Sequence, residues 1–209
     1  MNPHIKDRAV LFLEAKMSEA NPALQAELSK GNVVIRDHKM YVNRAFLVGS
    51  TGILEVVDPT VSKTVGVTTF EKGKTDEDTA LAVTGIIARY APAANSADVT
   101  AQTYSEYLYD YAGTGRVPKE LQNADVEILV GNLKIYEGRF GNLFVNGREA
   151  KENGECNQYL RLKAPKFIKG GQDVQIRLRM ANGASLSGTA THNHFLQIEF
   201  DGAATSAKL

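Results

Sequence analysis

The sequence predicts a mainly β chain, an antiparallel β-sandwich, jelly roll or barrel with a short helical arm at its N-terminus. Three observations predict it. Apolar residues recur at helical spacing up to about residue 30 and alternate from Gly31 onward. Roughly ten or eleven short β-rich runs then follow, separated by turn residues. No helix of crossover length lies between those runs, which disfavours a parallel doubly wound sheet.

The arm comes first. Ile5, Ala9, Phe12, Leu13 and Met17 share one helical stripe, with Lys6, Asp7, Glu14, Lys16 and Glu19 elsewhere around the axis. Asn21 and Pro22 stop this helix and start another, because asparagine suits an N-cap and proline suits the first helical position. Lys30 and Gly31 supply the stop. Residues 1–30 are therefore the arm and 31–209 the β domain. A stripe of this kind has to be covered, and the expected cover is a neighbouring subunit, with Ile5, Phe12, Leu13 and Met17 as the contact.

Within the β domain, "VVIRDHKMYVNRAFLV" reads as two strands around Arg36–Lys39, "GILEVVD" and "KTVGVTTF" as two more, and "ALAVTGIIARYA" as another. An insertion at about 91–118 carries Tyr104, Tyr107, Tyr109 and Tyr111, which line either a helical or a strand face and either cap the core or form an intersubunit patch. In "ADVEILVGNLKIYEG" the pair Gly131-Asn132 joins two strands, glycine first suiting a type II′ turn; Asn146-Gly147 is a type I′ signal. "QDVQIRLRM" alternates most cleanly, with Val174, Ile176, Leu178 and Met180 on a dry face and Gln175, Arg177 and Arg179 on a wet or interfacial one.

Composition limits the function. The chain has 209 residues, enough for one sizeable core. Lysine plus arginine equal aspartate plus glutamate at 24 each, so no net field draws it to nucleic acid or an anionic membrane. The longest apolar runs fall well short of a transmembrane span, and the charged N-terminus is unlike a secretory signal, so the chain reads as soluble and unexported by that route. Cys156, the single cysteine, is expected as a free thiol.

Catalytic signatures are weak. "FEKGKT" ends like a phosphate loop, but six residues separate Gly66 from Gly73 where the loop needs four. "TDEDT" lacks calcium-loop spacing, and no G-x-S-x-G elbow occurs. The strongest candidate is "THNHFLQIEFDG", in which His192, His194 and Glu199 match part of a cupin metal motif. A continuous strand would set Glu199 on the face opposite both histidines, and no later histidine follows. A structural strand is the expectation, with no metal, cofactor or catalytic residue; a cupin-like enzyme using His192 and His194, or a sandwich binding module, are the alternatives.

Over "VPKELQNADVEILVGNLKIYEG" and "QYLRLKAPKFIKGGQDVQIRLRM", closing on "HFLQIEFDG", the order of features resembles bacteriophage and viral virion proteins of jelly-roll type, particularly major capsid proteins of small icosahedral particles. The likeness covers about half the chain and leaves the N-terminal third unmatched. It implies a jelly-roll shell subunit made in the host cytoplasm and resident in the virion. Its implied partners are its own copies, as trimers or an icosahedral shell, and other virion proteins.

Overall fold

In a computed structural model the protein is described over residues 3–94, 100, 117–145, 149–150, 156–157, 159–188 and 192–207. The four tyrosines of the insertion and the Asn146-Gly147 turn lie outside these residues.

Helices α1 (Pro3–Ala20) and α2 (Pro22–Ser29) form the arm. Asn21 caps α2 as its sequence implies: its side-chain oxygen accepts from the Leu24 N–H at 3.1 Å, satisfying a donor the helix start leaves without a partner. Beyond α2, Gly31 takes φ +77°, the left-handed conformation that ends helices.

The β domain contains β1 (Val33–Leu47), β2 (Ile53–Glu55), β3 (Leu81–Ala94), β4 (Asp125–Val130), β5 (Leu133–Arg139), β6 (Glu149–Ala150), β7 (Cys156–Asn157), β8 (Tyr159–Ile168), β9 (Val174–Arg179) and β10 (His192–Ala207). Two short helices, α3 (Lys119–Gln122) and α4 (Gly141–Val145), flank the β4–β5 hairpin. The hairpin turns at Gly131-Asn132 with Gly131 alone at positive φ, +56°, as a type II′ turn requires.

Two strand expectations are corrected. Residues 33–47 form one strand, because Arg36–Lys39 holds no glycine or proline to break it and pairs without interruption with Ala204–Asp201 of β10. "KTVGVTTF" forms no strand of its own. Gly66, at φ +80°, folds it into a turn bridged at Thr64 and Thr68. Its residues instead bond the free edge of β1: Asn43 N–H to Val67 O at 2.8 Å, and Thr69 N–H to Tyr41 O at 3.0 Å. The middle of an edge that would otherwise invite another strand is thereby covered, at residues 41–43.

The strands build an antiparallel β-sandwich. One sheet runs β1-β10-β3-β8, the other β2-β9-β4-β5, and β6-β7 form a separate ribbon. The pairings are nested: β1 with β10, β2 with β9, β3 with β8, β4 with β5. Alternate residues from both sheets fill one core, Met40, Val42, Ile86, Leu196, Ile198 and Phe200 from the first and Val126, Ile128, Val174, Ile176 and Leu178 from the second. Phe70 reaches in and meets Phe200 with ring centroids 6.2 Å apart.

The arm lies on the outer face of the first sheet, against β3, β10 and β8. Ala9, Leu13 and Met17 pack on Ala80, Ala82 and Ala203, with Phe12, Ile35 and Phe167 at the margin. Three alanines make a shallow seat that lets the helix approach closely. The expected cover by a neighbour is therefore overturned for Leu13 and Met17, which are fully buried within one chain. Phe12 is half-buried in the same cluster, and the Ile5 side chain lies outside the description. No described helix is long and apolar enough to cross a membrane.

Candidate functional site

From His194 to Asp201 the histidine-rich stretch is buried in the middle of the first sheet. It lies in β10, the long strand between β1 and β3, with no break from His192 to Ala207. Alternation sends His194, Leu196, Ile198 and Phe200 to the core side and Phe195, Gln197 and Glu199 to the other. His194 is buried, its Nδ1 lies 2.8 Å from the Tyr90 hydroxyl, and the two rings stack at 28°. Burial pushes the Tyr90 pKa up, so its hydroxyl keeps its proton and can donate it to Nδ1. The His192 side chain lies outside the described residues.

Glu199 does other work. On the outer side of the sheet one oxygen accepts from Lys39 Nζ at 2.6 Å and the other from Arg89 at 3.0 Å. Arg89 also donates to the Gln197 side chain. Glu199 is 5% exposed and Arg89 15%, so this is a largely dehydrated ion pair within the sheet. The expected separation of Glu199 from His194 is what the register produces. Among the described residues no three His, Cys, Asp or Glu side chains gather closely enough to hold a metal ion.

Removing one member of a buried pair is costlier than removing both, because the survivor stays charged and dehydrated. Glu199→Ala is therefore expected to cost about 3 kcal/mol, the low end for a broken buried pair, since Arg89 keeps Gln197 and some solvent. Urea midpoints would measure it, and adding Arg89→Met to Glu199→Ala should recover part of the loss. A Glu199→Ala midpoint equal to wild type would show the pair to be inert.

The second polar surface is the outer face of the second sheet. There β9 presents Arg177 and Arg179, while its neighbour β4 presents Asp125 and Glu127 directly opposite: Asp125 pairs in register with Arg179 and Glu127 with Arg177. Arg177 Nε donates to Glu55 at 2.9 Å. Glu127 and Glu137 are also register partners, a like-charge juxtaposition that Lys134 relieves by reaching both, at 3.7 and 2.6 Å. The Glu137 hydrogen bond foremost holds the Lys134 pKa above its ordinary value. Arg179, Asp125 and Arg139 form no ion pair among the described residues. Between these strands lies an open cleft of about 260 Å³ bordered by Ile53, which is 55% exposed.

The alternation of "QDVQIRLRM" and "ADVEIL" marks Arg177, Arg179, Asp125 and Glu127 as outward, yet only the arginines were singled out from sequence. Lys39 and Arg89, which hold Glu199, carry no local signal, being 160 and 110 residues away from it. No protein-family model matches the chain, and no curated protein matches it.

Proposed function

We propose that this chain is a structural subunit of a virion, a jelly-roll protein that assembles with its own copies into a shell. The observation that carries the reading is the nested pairing of eight sandwich strands, first with last and so inward to the β4–β5 hairpin. A long antiparallel hairpin rolled into two sheets has that order, and jelly rolls of this kind include viral capsid domains, lectins and cupins. Among these, the cupin use of the fold loses support because Glu199 faces away from His194 and is held by two cations. A shell subunit needs extended surfaces, and balanced charge limits repulsion between packed copies.

Light scattering across a concentration series, with electron microscopy of the largest species and metal analysis of the same sample, tests the reading. Concentration-dependent growth into discrete symmetric particles is expected. The double variant His192→Gln/His194→Gln should lose stability without losing any bound metal. A chain that stays monomeric throughout, or one holding equimolar metal that the double variant lacks, would sink the proposal.

A further inference from the structure

We infer that the outer face of the second sheet docks onto the same face of a second copy, about a two-fold axis running along the strands between β9 and β4. The inference rests on the self-assembly reading and adds where one contact forms. Its basis is the segregation of charge by strand: both outward arginines, Arg177 and Arg179, stand on β9, and both facing acids, Asp125 and Glu127, on β4. A two-fold along the boundary exchanges the two strands between copies. Arg179 then faces the other copy's Asp125 and Arg177 its Glu127, each contact occurring twice, as an isologous interface requires. On the outer strands the same axis brings Glu55 opposite the other copy's Glu137, two carboxylates already held within their own chain by Arg177 and Lys134, so the central strands carry the complementarity. A two-fold across the strands, between the two rows, would oppose Arg177 to Arg179 and Glu127 to Asp125, like on like.

The side chains are available for such a contact. Arg179 and Asp125 are exposed and make no ion pair among the described residues. Arg177 spends Nε on Glu55, leaving its terminal nitrogens for a second carboxylate. Arginine is enriched at interfaces, and Ile53 beside these arginines leaves an apolar side chain 55% exposed on the same face. Sheets packed face to face run nearly aligned, which the proposed axis preserves.

Three strands of six or seven residues and one of three, about 4.8 Å apart with about 3.4 Å per residue, cover roughly 350 Å², below the roughly 800 Å² per partner of a standard interface. The contact is thus concentration-dependent and sensitive to salt.

Charge exchange tests it. Arg177→Glu/Arg179→Glu leaves the central strands all acidic, and Asp125→Lys/Glu127→Lys leaves them all basic. Each variant alone, checked for folding by circular dichroism and thermal melting, should self-associate more weakly by on the order of a hundredfold in sedimentation equilibrium. An equimolar mixture should restore association, because each acidic face then meets a basic one. For the wild type alone, raising salt from about 0.05 to 1 M should weaken the contact. Unchanged association in both variants, failure of the mixture to restore it, or indifference to salt overturns the inference; if the wild type still assembles, the shell reading survives. A wild type that never associates overturns both.

Discussion

Deleting residues 1–30 is expected to destabilise the β domain itself, lowering its urea midpoint and exposing an apolar seat prone to aggregation. Leu13 and Met17 are fully buried against the first sheet, and Ala80, Ala82 and Ala203 beneath them would keep only the flanking Ile35 and Phe167 of the cluster's β-domain side chains. The deletion also frees the chain from ordering two helices, so the cleaner measure is Leu13→Ala. Truncating a fully buried leucine costs about 2–5 kcal/mol, a large part of the about 5–15 kcal/mol that holds a domain together. Leu11→Ala, at a residue 65% exposed on the same helix, should change stability by less than about 0.5 kcal/mol. A truncated chain that keeps the wild-type midpoint would return the arm to the surface, available to a neighbour as its amphipathic pattern first implied.

Gly202→Ala is expected to be about as damaging, by a different route. A Cβ there would lie 1.9 Å from the carbonyl oxygen of Ala82 and 2.9 Å from its carbon, both backbone atoms of β3. The glycine sits where the β10–β3 register shifts, and the strands come so close that no side chain fits. Flexible neighbours could move aside, but a paired backbone cannot do so without parting the ladder at the centre of the sheet. A loss of about 4 kcal/mol or failure to fold is expected. Gly188→Ala is the control: its Cβ would meet the Val48 side chain at 3.1 Å, which a small shift relieves. Similar melting temperatures for the two variants would show that the close approach at Gly202 is readily relaxed.

These sites show what the residues disclose and what they withhold. Alternation in "QDVQIRLRM" and the Gly131-Asn132 turn are written in neighbouring residues, and both are found as read. Helix positions and the Asn21 cap are equally local. The seat under the arm is not: it is assembled from Ala80, Ala82 and Ala203, and amphipathicity says that a stripe is covered without saying by what. Glu199 gives the sharpest case. Its spacing from two histidines resembles a metal motif, while its partners Lys39 and Arg89 lie on strands that only the fold brings alongside. The turn at 63–70 misled for a related reason, because β-branched residues favour extended backbone whether or not a sheet partner exists.

Nested pairing has a consequence for how the chain reaches this structure during synthesis. β1 is finished when about residue 47 has been made, but its sheet partner β10 begins at His192; β3 can pair with β8 earlier, yet its other edge waits for the same strand. Among the sandwich pairings, the β4–β5 hairpin, with two residues in its loop, is the one that can close as it emerges. Every other sandwich pairing joins segments far apart, so loop closure must be completed before most of the contacts repay it. The first sheet stays open, with Met40, Val42 and Ile86 unburied, until the last strand leaves the ribosome. A nascent chain that stalls before β10 therefore presents two long uncompleted edges, and its safe passage depends on elongation through β10 outrunning aggregation.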